Sequence, residues 1–206
     1  MSLFMATIYD RFMRSAEEAC LQGWRRELLS EANGEVLELG AGTGANLPFY
    51  TGSLSRLVLS EPDPHMRKRL ERAVSNASLQ GLDVSPASSG DLPFDDSSFD
   101  CVVSTLVLCS VESQDKTLAE ALRVLKPGGK LIYLEHIAAR DNPARLAWQK
   151  RAEPFWKVLA GNCHTARRTD LALNRAGFVV ESETYESMRK SLPIYRPTIR
   201  GVARKA

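Results

Sequence analysis

Glu35-Val36-Leu37-Glu38-Leu39-Gly40-Ala41-Gly42-Thr43-Gly44 opens on a short apolar run and closes on three glycines in five residues. An apolar run of this length, halted by glycine, reads as a buried strand entering a tight turn, with a short helix expected after it. In open α/β sheets ligands sit beyond the carboxyl ends of the strands, where glycines let a ligand approach the backbone. The spacing is G-x-G-x-G, whereas the dinucleotide fingerprint that seats a pyrophosphate on a helix N-terminus is G-x-G-x-x-G. The loop therefore reads either as a nucleoside-type site or as a plain strand-to-helix turn.

Upstream, Ile8 to Leu29 is a helical stretch, polar on one side, ended by the Asn33-Gly34 turn signal. Downstream, Arg56 to Leu59 is a second strand, and Asp63 caps a helix that begins at Pro64 and runs towards Leu79. Asp83 to Ala87 is a third strand. Phe99 to Val103 is a fourth, β-branched and apolar enough for burial on both faces. From Ser113 the positions Leu118, Ala121, Leu122 and Leu125 recur at helical spacing until Lys126-Pro127-Gly128-Gly129 stops them, and Lys130 to Ile137 is the fifth strand. Asn142-Pro143 starts a helix that Pro154 interrupts, and a last helix from near Arg167 to Ala176 ends at Gly177. Phe178 to Tyr185 and Thr198 to Lys205 close the chain as strands.

Strands alternating with helices predict right-handed βαβ units and a doubly wound α/β sheet covered on both faces. The link between the final two strands, about Glu186 to Pro197, is too short and proline-rich for a crossover helix, so the last strand is expected to run antiparallel.

At 206 residues, 44% hydrophobic and 25% charged, the chain is expected to fold as a single domain over residues 1–206, with residues 1–33 as an N-terminal helical cap. Twenty-seven Lys and Arg against 25 Asp and Glu leave a formal charge of +2, too little for a whole-molecule field that holds nucleic acid. Cys20, Cys101, Cys109 and Cys163 are scattered, with no C-x-x-C pair and no zinc-finger spacing, so free thiols in a reducing compartment and no metal are expected. The first residues lack a basic n-region and a long apolar h-region, and no apolar run approaches the ~20 residues that span a bilayer. A cytoplasmic protein is expected.

Glu61 ends the second strand about twenty residues after the glycine loop, where a carboxylate can accept both hydroxyls of a ribose. A solvated strand-end carboxylate is the alternative. Asp91, in Gly90-Asp91-Leu92-Pro93-Phe94, can accept from an adenine amine under apolar cover, or serve simply as a turn residue.

Taken together, Glu38 to Gly44, Glu61, Asp91-Leu92-Pro93-Phe94, Phe99-Asp100 and Leu125-Lys126-Pro127-Gly128-Gly129 resemble the class I S-adenosylmethionine-dependent methyltransferases. The resemblance implies a seven-stranded sheet of order 3-2-1-4-5-7-6 with strand 7 antiparallel. A narrower set is similar to the methyltransferase-like thiol S-methyltransferases of animals: Gly42-Thr43-Gly44-Ala45-Asn46, Glu61-Pro62-Asp63-Pro64-His65, Thr105 to Val111, Glu135-His136-Ile137-Ala138, and a tail that includes Trp148-Gln149, Trp156, Cys163, Thr165 and Arg167. The family pattern has Cys in place of Ala41 and often Asp in place of Glu61. The animal proteins also begin with a hydrophobic segment that has no counterpart in this sequence.

This resemblance implies S-adenosyl-L-methionine as cofactor. Gly40, Ala41, Gly42, Gly44 and Asn46 would line its methionine and ribose portion, with Glu38 ordering the loop. Glu61 would hold the ribose hydroxyls, Pro62 and Leu92 would flank the adenine, and Asp91 would bind its amine. Thr105 and Leu106 would lie near the methyl donor, and Tyr9 would close over the cofactor. Residues 141–170 would form a lid insertion over a small hydrophobic acceptor, a thiol being favoured and a quinone or phospholipid the nearest alternative. His136 is the first candidate general base and His164 the second, the other reading of His136 being a ring that holds its loop. Trp148, Phe155, Trp156, Val158 and Leu159, interleaved with Lys150, Arg151 and Lys157, suit either a lid, a helix packed on the sheet, or a peripheral membrane contact. A nicotinamide oxidoreductase and a non-catalytic cofactor-binding protein are the readings from other classes. The sequence leaves the oligomeric state open.

Overall fold

Seven strands, β1 (Gly34–Leu39), β2 (Leu54–Ser60), β3 (Leu82–Ser85), β4 (Phe99–Thr105), β5 (Leu125–His136), β6 (Phe178–Ser187) and β7 (Pro197–Lys205), join in one sheet. The computed structural model describes residues 13–206, so Tyr9 lies outside the described residues. The order is β3-β2-β1-β4-β5-β7-β6. The pairs among β1 to β5 are parallel, and β7 is antiparallel to both β5 and β6. Helix α1 (Gln22–Leu29) follows a π-turn, Glu17–Leu21, and precedes β1. The others are α2 (Pro64–Ser75), α3 (Gln114–Val124), α4 (Pro143–Leu159) and α5 (Thr169–Ala176).

Local chemistry sets the helix boundaries. The Asp63 carboxylate accepts from the N–H groups of His65 and Met66 at 3.0 Å to start α2, and Ser113 Oγ and Asn142 Oδ1 do the same for α3 and α4. Gly177, at φ 95°, ends α5 in the left-handed conformation. Alternating side chains of the strands then feed two cores. Val36, Leu57, Cys101 and Val103 pack beneath α1 and α2 with Leu28, Leu29 and Leu70. Leu37, Val102, Leu131 and Tyr133 pack beneath α3 and α5 with Leu118, Ala121 and Leu173. Burial on both faces is what a central parallel sheet requires, at about 1.5 to 3 kcal/mol for each large apolar side chain removed from water.

Three expectations are corrected. The glycine loop leads into a single 3₁₀ turn, Leu47–Phe49, instead of an α-helix. Pro48 within the turn offers no N–H to prolong it. Residues 126–129 do not separate helix from strand. β5 already begins at Leu125, which pairs with Phe99, and the ladder resumes at the Cys101–Lys130 pair with the intervening residues bulged out. Pro154 does not interrupt its helix, because α4 continues through it to Leu159. Pro154 and Lys150 are both exposed, so the carbonyl that loses its partner is left to water.

Candidate active site

β1 and β4 are neighbours whose crossovers leave towards opposite edges of the sheet, which opens a crevice beyond their carboxyl ends. A cavity of about 1120 Å³ occupies that place. One side is built by the glycine loop, Glu61, Pro62, Met66 and residues 88–91. The other is built by Leu106, Cys109, His136, Trp156, Leu159, Cys163, Met188 and Tyr195.

Gly40, Gly42 and Gly44 all have positive φ. A Cβ on Gly42 would meet nothing nearer than Gly40 O and Met66 Cε at 3.9 Å, so this residue leaves a cradle in the wall that a side chain would fill. Glu61 closes the cradle from β2, its Oε2 accepting from Gly42 N and its Oε1 from Asp63 N, each at 2.9 Å. Glu61 is only 7% exposed, and burial raises its pKa. Each oxygen retains an unused lone pair.

Beneath the loop lies a buried polar network. Glu38 accepts from Tyr50 Oη at 2.6 Å and Asn46 Nδ2 at 3.0 Å. Asn46 Oδ1 accepts from Arg25 Nη1 at 2.5 Å, and Thr105 Oγ1 accepts from both Asn46 and Arg25. Arg25 is held in turn by Glu17 at 2.9 Å. Burial raises the Glu38 pKa, with the Tyr50 and Asn46 hydrogen bonds opposing it. Arg25 and Tyr50 escaped the sequence reading. The one available signal for Arg25 was a charge sharing a helix face with Leu21, Leu28 and Leu29.

Of the other expected cofactor contacts, Ala41, Pro62, Asp91, Thr105 and Leu106 line the cavity. Asp91 is exposed, on a turn closed by its N–H to Ser88 O at 3.0 Å. Leu106 sits at φ 59°, a strained left-handed position at the exit of β4. Leu92 does not reach the cavity. It is buried in the second core, because Glu120 takes its N–H and Arg123 its carbonyl, each at 2.9 Å, and together they turn it inward.

His136, the last residue of β5, is buried in the cavity wall. Its Nε2 is 2.8 Å from Cys163 Sγ, and its Nδ1 has no hydrogen-bond partner. Cys163 Sγ also lies 3.9 Å from Cys109 Sγ. The Cys109 thiol, followed by the His136 ring, pulls the Cys163 pKa down to about 4 against the effect of burial. Cys109 is correspondingly pushed up and keeps its proton. Burial opposes charge on His136, but the adjacent Cys163 sulfur outweighs it, so the ring's pKa is raised. Both shifts favour charge on the two partners, and His136, the expected general base, has its Nε2 engaged by the Cys163 sulfur. His164, the second candidate, is turned away onto Glu153, with Nδ1 2.9 Å from Oε1. Neither its own position nor Cys163's apolar surroundings signal the Cys–His pairing, since the two partners are 27 residues apart in sequence.

Gln149 fastens α4 over this side, accepting from Ala139 N at 2.7 Å and donating to Ile137 O and Ile194 O. Trp156 stacks on Tyr195 with ring centroids 5.3 Å apart. Among the described residues no helix is long and apolar enough to cross a membrane.

Residues 37–133 match the model of a methyltransferase domain. Thiol S-methyltransferase TMT1B of Rattus norvegicus is 38% identical over 212 residues, covering 98% of this chain and 84% of the relative. Thiol S-methyltransferase TMT1A of Homo sapiens is 34% identical over 200 residues, covering 96% and 82%. A SAM-dependent methyltransferase structure from Thermotoga maritima shares the fold, with a TM-score of 0.71 at 21% identity over 99% of this chain and 97% of that one. Identity along nearly the whole length, together with the sheet order, makes this chain an S-adenosylmethionine-dependent methyltransferase that belongs to the thiol S-methyltransferase family.

Proposed function

We propose that this methyltransferase alkylates a small hydrophobic thiol, and that the observation carrying this reading is the 2.8 Å contact of His136 Nε2 with Cys163 Sγ in the wall of the apolar side of the cavity. A buried imidazolium stabilises a sulfur anion beside it. An acceptor thiol entering among Trp156, Leu159, Met188 and Tyr195 meets that pair. Its proton passes to solvent, and the remaining thiolate lies beside the His136 ring. The thiolate is the nucleophilic form of sulfur, so no covalent enzyme intermediate is required.

The opposite side of the cavity fits the cofactor. The Gly42 cradle admits a ligand against the backbone, the free lone pairs of Glu61 suit adjacent ribose hydroxyls, and Asp91 is an exposed acceptor for an amine. When bound, S-adenosylmethionine supplies an electrophilic sulfonium methyl. The Glu38–Asn46–Arg25–Thr105 network holds the loop between the two sides, and in-line alignment there supplies much of the acceleration.

All four cysteines are unpaired and buried, which suits a reducing compartment, the cytoplasm in this reading. On α4, Trp148 (69% exposed), Phe155 and Val158 stand in solvent beside Lys150 and Arg151, an arrangement suited to resting on a membrane surface. The test is methyl transfer from labelled S-adenosylmethionine to an alkyl thiol, a quinol and phosphatidylethanolamine in parallel. The thiol is expected to be methylated, and transfer to the quinol or lipid with the thiol untouched would overturn the reading.

A further inference from the structure

We propose that Cys163 and Cys109 also perform thiol–disulfide exchange on a small organic disulfide admitted to the same cavity, with Cys163 as the attacking thiolate and Cys109 as the resolving thiol. Both residues line the cavity, and their sulfurs lie 3.9 Å apart. The segments that carry them are joined at the backbone. His164 N donates to Cys109 O at 2.8 Å, and Asn162 Nδ2 donates to Ser110 O at 2.9 Å. Closing the sulfurs to a bond of about 2.05 Å therefore asks for side-chain rotation on two segments already in register.

The same three side chains, Cys109, His136 and Cys163, form a cluster with metal-ligand chemistry, all within 4.8 Å of one another. Two observations favour the exchange pair over a metal site. Zinc bonds of about 2.3 Å to sulfur and 2.0 Å to nitrogen set tetrahedral ligands about 3.5 Å apart, whereas His136 Nε2 and Cys163 Sγ are 2.8 Å apart. A zinc-bound histidine gives its second N–H to an acceptor, whereas His136 Nδ1 has none.

In the first step Cys163 S⁻ attacks one sulfur of R–S–S–R′. The S–S bond breaks, Cys163–S–S–R forms, and R′S⁻ leaves. In the second, the Cys109 sulfur attacks Cys163 Sγ and RS⁻ leaves, the Cys109 proton departing with one of the released thiolates. Two electrons pass from the cysteine pair to the disulfide, and the pair ends as Cys109–Cys163 disulfide. A further turnover takes an external dithiol as reductant. The released RSH belongs to the acceptor class proposed above, so in that respect this inference rests on the thiol reading: the cavity would convert an oxidised precursor into its own substrate.

The experiment treats the full chain with bis(2-hydroxyethyl) disulfide in the absence of S-adenosylmethionine and follows intact mass and peptide maps. The native protein is expected to lose two hydrogens into a Cys109–Cys163 cross-link and to release two mercaptoethanol molecules. Cys109→Ser is expected to stop at a mercaptoethanol adduct on Cys163, and Cys163→Ser to form neither product. If either variant fails to fold, the native peptide map decides alone. Both thiols unmodified under excess probe, an adduct confined to Cys20 or Cys101, or stoichiometric zinc retained by the purified protein would each overturn the proposal. Methylation of a simple alkyl thiol is measured separately, so failure of exchange and failure of the thiol reading are distinguishable.

Discussion

Replacing Glu61 with alanine removes a carboxylate that does two things at once. It fixes the glycine loop through the N–H groups of Gly42 and Asp63, and it presents its remaining lone pairs to the cavity. Loss of charge-assisted hydrogen bonds to a ligand costs about 1.5 to 3 kcal/mol, which is roughly 10- to 150-fold in a dissociation constant. The two backbone donors it abandons border an open cavity and can be hydrated, so the chain is expected to stay folded. Titration calorimetry with S-adenosylmethionine reads the affinity directly. Glu61→Gln sharpens the test, because an amide keeps one acceptor but turns its NH₂ towards a backbone N–H, so it is expected to bind nearly as weakly as Glu61→Ala. Since burial raises the Glu61 pKa, native affinity depends on a carboxylate that protonates earlier than usual as pH falls. Affinity should therefore be full above that raised pKa and decline below it, an acid limb that both variants lack. An unchanged dissociation constant in Glu61→Ala, or a Glu61→Gln equal to the native protein, would refute the reasoning.

Further outcomes follow from the same geometry. Gly44→Ala places a Cβ 2.9 Å from Leu47 Cδ1 at φ 88° and is expected to lower unfolding free energy by about 1 to 3 kcal/mol in urea denaturation. Gly42→Ala has open space around its Cβ but a φ of 60°, so it is expected to cost about 1 kcal/mol of stability in denaturation and to weaken cofactor binding as well, by calorimetry. Cys163, with its pKa near 4, should be alkylated by iodoacetamide at an undiminished rate down to about pH 5, whereas an ordinary thiol slows tenfold per unit below about 8.5. In His136→Ala the midpoint of that profile is expected to move up, and identical profiles would remove the His136 ring as a cause of the low pKa. The double substitution Trp148→Ser with Phe155→Ser is expected to reduce co-sedimentation with anionic vesicles while leaving the fold intact by circular dichroism, both side chains being exposed.

Local chemistry made much of this protein readable in advance. Asp63, Ser113, Asn142 and Gly177 each act within three or four residues of themselves, so the helix boundaries they set need no tertiary context. The antiparallel last strand follows from a link too short to cross the sheet, and the glycine loop carries its own backbone requirement. What propensity and spacing could not reach was every feature made by distant partners. Residues 126–129 read as a helix stop, yet become a bulge because Phe99 and Cys101 on β4 dictate where the β5 ladder resumes. Leu92 reads as a cavity residue, yet Glu120 and Arg123 from α3 claim its backbone. Arg25 enters the site only because the packing of α1 brings its side chain to Asn46 and Thr105, which accept from it. The chemistry of the acceptor side is the extreme case. Cys109, His136 and Cys163 come from the exit of β4, the exit of β5 and the turn after α4, and none has unusual neighbours in sequence. A thiol becomes a thiolate through charges and hydrogen bonds within a few ångströms, and over such distances the fold alone chooses the neighbours.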